Sequence, residues 1–452
     1  MSNAKESLLT QLATLVGGVQ FAAIPREHVE AAKLLVLDTI GCGLGATGCE
    51  PVQRLRSALT VVAGPQEEGA TVWGTGERVR LDTAILANGA LVRYLDFMDV
   101  YWAREICHPS ENIPVALSCA EAQGSSGAAL IEAVVGAYEV QVRLADAFSF
   151  ESLGLHHVSA AGIVAPLVMA KLWGLPVAQA AQAAALCGFR HLTHAALVRG
   201  ELSMAKAIGY ASAASECVMW TRLAAQGFTG PMQLLEQLGV NGYLDLSHST
   251  GAVRRVSLKQ FPVQYTLQSP IEAALELRGL LDVTAIKELR IEVHADAARR
   301  TADPAKFKPA NRETADHSLP CCVAMMLLDG KLDKHQFDSD RWQQADVGAL
   351  MARIQVTPSQ ELEQRWPGGR PVRITATLHD GSERTVLVAV PFGDSTRPMD
   401  TGAITRKFMR LAEPLLGLKR AKDVVHQVDQ LDQLADVRRL CRLLAPVPAA
   451  AQ

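Results

Sequence analysis

The segment from Asn88 to Gly124 reads NGALVRYLDFMDVYWAREICHPSENIPVALSCAEAQG. Between its two apolar runs it carries a compact polar group, namely Asp96, Asp99, Arg104, Glu105 and His108. The letters PSENIP that follow predict a helix start, because proline is tolerated in the first helical turn and Ser and Asn cap it. The free N–H groups and the dipole at that helix start favour an anion. The segment therefore predicts an acid/base site for an acidic substrate.

Aromatic residues are interleaved with these charged groups. A solvated loop would not usually carry Tyr94, Phe97, Tyr101 and Trp102 beside its carboxylates. We therefore expect the segment to be folded into the protein, and Tyr101 is a candidate for contact with the substrate.

The composition indicates a globular protein with two domains. The chain has 452 residues, of which 49% are hydrophobic and 20% are charged, and its formal net charge is −3. This length exceeds one ordinary domain and allows a large core. A charge so close to zero argues against a nucleic-acid or membrane-surface partner.

The N-terminus and the cysteines bear on the cellular compartment. The opening residues, MSNAKESLLTQLATLVGG, lack the cationic and apolar regions of a secretory signal, and no apolar run is long enough to cross a bilayer. None of the nine cysteines forms C-x-x-C, so reduced thiols are expected and a compact ligand set for an iron–sulfur cluster is missing. We expect a soluble cytoplasmic protein.

Residues 1–254 have the pattern of a helical domain. Ala and Leu dominate, apolar residues recur at spacings of three and four, and Gly or Pro marks the segment ends. No window in this half alternates clearly enough to predict a strand. The predicted helices are 6–18, 26–40, 80–95, 113–123, 126–148, 158–173, 177–187, 203–226 and 231–238.

Residues 255–402 have the mixed pattern of a smaller α+β lid domain. Short runs rich in β-branched residues alternate in polarity, and Asp380-Gly381 joins the last two as a hairpin turn would. Helical segments are interleaved with these runs, which favours an antiparallel sheet. The predicted strands lie within 288–297, 352–358 and 371–393, and the predicted helices are 270–282 and 318–330.

From residue 403 the pattern becomes helical again. We predict helices at 403–416 and 428–444 and expect them to pack back on the first domain. The predicted fold class is therefore mainly α, with a large all-helical domain of residues 1–254, completed by 403–452, and a smaller α+β lid domain.

Two short motifs could indicate a cofactor or a metal, and neither is complete. Gly43–Gly48 matches the dinucleotide fingerprint G-x-G-x-x-G, but the acidic residues near the required distance, Glu67 and Glu68, stand in a loop-like stretch. We favour close helix packing around small residues. His191 and His194 could share a helical face, but no third ligand is suitably spaced. We therefore expect neither a cofactor nor a metal.

Three further histidines stand where helices are predicted to begin. His156 and His157 precede one apolar helix, and His317 follows Asp316 just before another. Exposed imidazoles in a loop, or an aspartate that caps the helix, would explain the same letters. The alternative is an oriented set of imidazoles that can move protons.

Two lysines complete the set of candidate site residues. Lys206 is the lone cation in a helix of small residues, and Lys259 precedes the FPVQY segment. Surface lysines are the default interpretation of either position. Together with the carboxylates and histidines, however, they supply what is needed to bind a polycarboxylate and to move protons on it.

These motifs, in this order, resemble the MmgE/PrpD family, which includes 2-methylcitrate dehydratases, cis-aconitate decarboxylases and iminodisuccinate epimerases. The resemblance covers roughly residues 8–415. It implies a large helical domain with a smaller α+β lid, a site between the two, and a homodimer. It rests on the segments LDTIGCGLGA, ANGALVRYLDFMD, CHPSENIP, LHHVSAAG, SMAKA, KQFPVQYTLQSPIEAALELR and ETADHSLPCCVAMMLLDG.

The resemblance also implies which residues form the site. Gln264, Tyr101 and His317 are added to the lysines as candidates for substrate binding. The family's active-site positions fall on Asp96, His108, His156 or His157, Lys206 and Lys259.

Three departures from the decarboxylase pattern favour the dehydratase branch. Val100 stands where the decarboxylases have Thr, Gln264 replaces a His, and Cys321 replaces a Tyr. The LDFMD, CHPS and FP-x-Q-Y spellings are more similar to those of 2-methylcitrate dehydratases.

The sequence thus predicts a cofactor-independent hydro-lyase that dehydrates 2-methylcitrate or a related tricarboxylate by general acid/base catalysis. His108 and one of His156 and His157 would transfer the protons, with Asp96 as an orienting group or a base. Two alternatives stay open. One is an epimerase, isomerase or decarboxylase of a small di- or tricarboxylate, and the other is a non-catalytic carboxylate-binding protein.

Overall fold

The structure is a computed structural model that describes residues 6–446 except 60–68, 200, 241–243, 245–246, 248 and 366–368. Helices dominate and the strands are few and short, so the predicted mainly α fold class is confirmed. Glu67 and Glu68, considered above as nucleotide ligands, lie outside the described residues. Within the described ranges, every helix is too short or too polar to cross a membrane.

The first part of the chain forms a helical body. Most of the predicted helices are present, and α3 was not predicted. The elements are α1 Leu8–Gly18, α2 Arg26–Gly45, α3 Glu50–Leu59, β1 Gly69–Thr71, β2 Arg78–Arg80, α4 Leu81–Tyr94, β3 Tyr101–Trp102, β4 Ile106–Cys107, α5 Ile113–Gln123, α6 Gly127–Ala147, α7 Ala161–Leu172, α8 Val177–Gly188, α9 Ala205–Ala225 and α10 Leu234–Gln237.

The prediction that this half contains no strand is wrong. Strands β1 and β2 form one antiparallel hairpin, and β3 and β4 form another. Each strand has only two or three residues, which is too short for alternation to be recognised in a sequence window. The second hairpin matters for the site, because β4 ends one residue before His108.

The glycines of the G-x-G-x-x-G motif serve helix packing. Helix α2 runs on through Gly45, and a Cβ on Gly43 would lie 2.8 Å from the Trp73 ring. A Cβ on Gly45 would lie 2.7 Å from Leu411. Contacts this short leave no room for a side chain, so the packing interpretation of the motif is confirmed.

The second body is built on a four-stranded sheet with the order β6-β5-β7-β8. The β7–β8 hairpin turns at Asp380-Gly381, as predicted, with Gly381 at φ +83°. The sheet is mixed, however, because β5 and β6 pair in parallel. The elements are α11 Gln268–Arg278, β5 Ile286–Val293, α12 Ala295–Thr301, α13 Arg312–Ala315, α14 Leu319–Asp329, α15 Lys334–Asp338, α16 Ala345–Met351, β6 Ile354–Pro358, α17 Gln360–Glu363, β7 Val372–Leu378 and β8 Glu383–Val388.

The C-terminal segment consists of α18 Thr401–Leu416, α19 Leu418–Asp429 and α20 Arg438–Cys441, and the predicted helix 428–444 is wrong. Between α19 and α20 the backbone also bonds to another part of the chain, and this interrupts the predicted helix. The N–H of Gly127 donates to the Leu434 carbonyl at 2.8 Å, and the N–H of Val437 donates to the Ser125 carbonyl at 3.0 Å.

The described residues form two large apolar cores. One joins α1–α9 with apolar residues of α18–α20, and the other fills the space between the sheet and helices α11, α14 and α16. Because α18–α20 share the first core, the C-terminal segment packs on the helical body.

A buried ion pair ties α18 to the segment that carries Asp96. The ammonium of Lys407 lies 2.7 Å from the Asp38 carboxylate on α2 and donates to the Phe97 carbonyl at 2.7 Å. Both charged side chains are buried, and burial raises the pKa of Asp38, although Lys407 opposes that effect.

Replacing Lys407 with methionine is expected to lower the free energy of unfolding by about 3–5 kcal/mol, because it leaves the Asp38 carboxylate buried without its partner. Urea unfolding measures the change. Arg406→Met, at an exposed position on the same helix, is the matched control. Equal stability of the two variants would contradict the assignment.

Candidate active site

A cavity of about 220 Å³ lies where the two bodies meet. Residues of the helical body, of the segment that follows it and of the second body all contribute to its wall. Most of the predicted site residues line it, namely Asp96, His108, His156, His157, Lys259, Gln264 and His317.

Asp96 lies immediately after α4 and has the left-handed backbone conformation, with φ at 49°. This conformation is uncommon for a residue other than glycine, although aspartate tolerates it better than most. It persists where the surroundings enforce it. The carboxylate accepts a hydrogen bond from Arg93, one turn earlier on α4, at 2.9 Å.

Two lysines from distant parts of the chain converge on Asp96. Lys259 donates to the Asp96 carbonyl at 2.7 Å and to its carboxylate at 2.5 Å. Lys206, on α9, lies 3.3 Å from the Asp96 carboxylate and also 3.3 Å from that of Asp316. Lys206 is not among the described residues that line the cavity, although its partner Asp96 is.

The ion pairs around Asp96 determine the charge states of Asp96 and Lys259. Burial alone would raise the pKa of Asp96, but Arg93, Lys259 and Lys206 hold it well below the usual range. Burial lowers the pKa of Lys259 to about 8, although Asp96 opposes that change. Asp96 is therefore ionised at neutral pH and is a weak base, which favours an orienting role for it.

His108 is held with one ring nitrogen free to accept a proton. Its Nδ1 lies 2.6 Å from the Asp99 carbonyl. Because a carbonyl oxygen only accepts, Nδ1 carries the hydrogen and Nε2 keeps a lone pair. Burial, together with Arg93 and Lys259, lowers the pKa of His108 well below its usual value. The imidazole is therefore a neutral base at pH 7.

The carboxylate of Asp99 fixes the loop that carries His108. It accepts hydrogen bonds from the Ser110 backbone at 3.1 Å, from the Ser110 hydroxyl at 2.6 Å and from the Tyr138 hydroxyl at 2.7 Å. A 3-10 helix begins at Pro109 and leads into α5, so the predicted helix start after His108 is confirmed.

His157 packs against His108, and His156 packs against His157. The ring centroid of His157 lies 5.3 Å from that of His108 and 4.1 Å from that of His156. Burial lowers the pKa of His156 to about 3 and that of His157 well below its usual value. Both rings are neutral at pH 7 and can exchange hydrogen bonds with a substrate hydroxyl.

His317 belongs to the second body and lies beside the carboxylates of Asp316 and Asp96. Its Nδ1 lies 2.5 Å from the Asp316 carboxylate, and its Nε2 lies 3.4 Å from that of Asp96. Burial, with Lys206, lowers the pKa of His317 to about 4. The Asp316–His317 pair considered in the sequence therefore exists, and it connects the second body to Asp96.

Three other residues considered in the sequence, Gln264, Tyr101 and Cys321, lie outside the cluster around Asp96. The Gln264 side-chain oxygen accepts from the Thr266 backbone at 2.7 Å, which leaves its NH₂ group as the donor on the cavity wall. Tyr101 is not among the described residues that line the cavity, and its hydroxyl bonds to Asp146 and Arg255. We therefore assign it no role in substrate binding. Cys321 is buried in the second core, away from the cavity.

Several cavity residues were not among the predicted ones. Arg93 could have been found from the sequence, because it stands three residues before Asp96 in an otherwise apolar helix. Lys306 and the arginines of α12 gave no such signal, since their position depends on how the second body packs. The additional charged residues are Arg93, Glu151, Arg199, Arg299, Arg300, Asp303 and Lys306.

One cluster has the composition of a possible metal site. Ligand atoms of Asp96, Asp316 and His317 lie within 4.8 Å of one another. The same carboxylates are already paired with the ammonium of Lys206, and further cations surround them. A divalent cation would be repelled by these groups, so the cluster is better suited to hold lysine than metal.

Glu111 is buried beside Arg93. Its Oε1 is 3.7 Å from Arg93 Nε, and neither carboxyl oxygen has a hydrogen-bond partner among the described residues. Burial raises the pKa of Glu111 to about 8, although Arg93 opposes the change. At neutral pH this side chain is a buried carboxylic acid.

Replacing Glu111 with glutamine is expected to change stability in a pH-dependent way. Because the folded protein raises its pKa to about 8, the stability that Glu111 contributes is fully present below about pH 4 and is lost as pH rises through about 8. Relative to the wild type, the variant should gain on the order of a few kcal/mol between about pH 5 and about pH 9.

Urea unfolding across this pH range measures the difference. Glu50→Gln, at an exposed helix position, is the control and should show no such trend. A difference between wild type and Glu111→Gln that does not depend on pH would contradict the buried acid.

Comparisons with known proteins show similarity over both bodies. The chain matches the family model of the MmgE/PrpD N-terminal domain over residues 10–252 and that of the MmgE/PrpD C-terminal domain over residues 261–433. It is 28% identical over 411 residues to the 2-methylcitrate dehydratase of Cupriavidus necator, which covers 81% of this chain and 82% of that protein.

Two further relatives show the spread of the similarity. The 2-methylcitrate dehydratase of Escherichia coli K12 is 28% identical over 414 residues, covering 82% of this chain and 83% of that protein. The cis-aconitate decarboxylase of Mus musculus is 24% identical over 473 aligned positions, covering 97% of this chain and 93% of that protein.

Proposed function

We propose that this chain, which belongs to the MmgE/PrpD family, is a lyase that dehydrates 2-methylcitrate or a related tricarboxylate. The reaction would proceed by general acid/base catalysis, without a metal or a cofactor. The observation that carries the proposal is the neutral imidazole of His108, oriented by the Asp99 carbonyl inside a cavity lined with cations. The relatives named 2-methylcitrate dehydratase support the choice of reaction.

The size and charge of the cavity favour a small, highly charged substrate. Its volume of about 220 Å³ is below the range of about 300–1,000 Å³ that is usual for pockets of drug-sized ligands. Arginine and lysine side chains on its wall can bind carboxylates by charge-assisted hydrogen bonds.

The proposed step begins at a carbon next to a carboxylate. His108 Nε2 takes the proton from this carbon, and the bond from the neighbouring carbon to its hydroxyl breaks. The imidazolium formed at His108 gives this proton to the hydroxyl, which leaves as water, and His157, whose ring packs against that of His108, would assist by hydrogen bonding to the hydroxyl. The products are an alkene and water, and His108 is again neutral.

Fixed positive charge would lower the barrier to this step. Removing the proton places additional negative charge on the adjacent carboxylate, and buried cations stabilise that charge more strongly than water does. Lys259 is fully buried and Lys306 is nearly so. Asp96 would hold Lys259 in place and keep its charge, since it faces Lys259 directly.

Replacing His108 with glutamine is expected to lower kcat by about 10²–10⁴-fold, because the general base is lost while a similar shape is kept. Progress curves followed by NMR measure the rate with 2-methylcitrate, citrate, cis-aconitate and iminodisuccinate. His194→Gln, which removes an exposed imidazole, is the matched control. Turnover by the His108 variant close to the wild-type rate would exclude His108 as the base.

The same assay separates the alternatives. Exchange of hydrogen at a stereocentre in heavy water, without an alkene product, would indicate an epimerase. Release of carbon dioxide from cis-aconitate would indicate a decarboxylase. Tight binding with no turnover of any compound would leave only a carboxylate-binding role.

We also propose that the protein is a homodimer, as the family resemblance implies. Large apolar side chains are exposed on and beside α8 and α9, notably Phe189 (46%), Met219 (61%) and Phe228 (58%). A contiguous apolar patch formed by such side chains would mark a protein–protein interface. Sedimentation equilibrium should give twice the chain mass, and Met219→Glu should shift the mass towards that of a monomer. A wild-type monomer would contradict the proposal.

A further inference from the structure

Three arginines surround one carboxylate at the mouth of the cavity. Glu151 belongs to the helical body, and its Oε2 accepts a hydrogen bond from Arg300 on α12 at 2.7 Å. Arg299 approaches the same carboxylate to 3.6 Å, and Arg199 approaches it to 3.8 Å. All four residues line the cavity. Asp296 also pairs with Arg299 and Arg300, so the three arginines share two carboxylates and one positive charge remains in surplus.

Arg300 is held in position independently of Glu151. Its Nε donates to the Asp296 carboxylate at 2.7 Å, on the same helix. Its guanidinium carbon lies 5.6 Å from the centre of the Trp102 ring, within the distance of a cation–π contact. Because these contacts fix the guanidinium, little additional ordering is needed when its other edge binds a carboxylate.

Glu151 is easier to displace than the buried pairs. Its side chain is 32% exposed, so a released carboxylate can be hydrated, and ion pairs with this degree of exposure are weak. Its backbone stays in place, since the Glu151 N–H donates to Glu105 at 3.0 Å. Release therefore requires only a rotation of the side chain.

We propose that Glu151 is an internal substitute for a substrate carboxylate, and that Arg300 determines specificity for a third carboxylate group. A tricarboxylate entering the cavity replaces Glu151 on Arg300, while its other two carboxylates bind deeper in the cavity. A dicarboxylate cannot make this exchange and still occupy the inner positions. This inference rests on the proposed function, because it takes a polycarboxylate as the substrate.

The proposal predicts opposite effects for the two partners of one ion pair. Arg300→Gln should weaken the binding of citrate at least about tenfold, because a charge-assisted hydrogen bond is lost. Glu151→Gln should tighten it a few-fold, because the competing carboxylate is removed. The double variant should bind citrate as Arg300→Gln does, and Arg300→Lys should lie between the wild type and Arg300→Gln.

Isothermal titration calorimetry with citrate and with glutarate measures these changes. Glutarate, which has only two carboxylates, should bind each variant within about threefold of the wild type. Arg373→Gln is the matched control. Arg373 lies on β7 of the same body and forms a similar ion pair with Glu361 of α17. Thermal melting shows whether every variant is folded.

Two results would overturn the inference while leaving the proposed function intact. One is weaker citrate binding in Glu151→Gln as well as in Arg300→Gln, since the pair would then only join the two bodies. The other is unchanged citrate binding in folded Arg300→Gln. If the wild type binds no tricarboxylate at all, the proposed function fails and the inference fails with it.

Discussion

The ionised carboxylate of Asp96 is the interaction on which the rest of the site depends. Lys259 and Lys206 reach it from separate parts of the chain, and His317 reaches it from the second body. Removing one member would leave a buried charge without its partner, which is strongly unfavourable. The left-handed backbone at Asp96 is maintained by these contacts. The cavity therefore exists only when both bodies are in place.

This arrangement separates two uses of charge. Around Asp96 the buried ion pairs fix the geometry, whereas at the mouth three arginines outnumber the two carboxylates that pair with them, Glu151 and Asp296. Burial is the main reason that the pKa values of the imidazoles are lowered, and the nearby cations add to this effect, because a second positive charge disfavours protonation. The lysine and arginine residues that make the cavity attractive to an anion therefore also help to keep the base unprotonated at pH 7.

The sequence predicted the local features well and the tertiary ones poorly. Helical periodicity predicted most helices of the first body, and the crowding of Asp96 and His108 pointed to a segment that lines the cavity. The break after α19 could not be seen, because it depends on hydrogen bonds to Ser125 and Gly127. The parallel pairing of β5 and β6 and the position of Arg300 likewise follow from packing. Only the family resemblance placed Lys206 and Lys259 near Asp96.

A crystal structure of the protein soaked with citrate tests the central claim most directly. The account predicts citrate in the cavity between the two bodies, with its carboxylates on the cavity's lysine and arginine side chains and a carbon-bound hydrogen facing Nε2 of His108. Asp96 should remain bonded to Lys259 without touching the ligand's reacting carbon. Citrate bound elsewhere, or Asp96 released from its lysines and turned towards that carbon, would contradict the account.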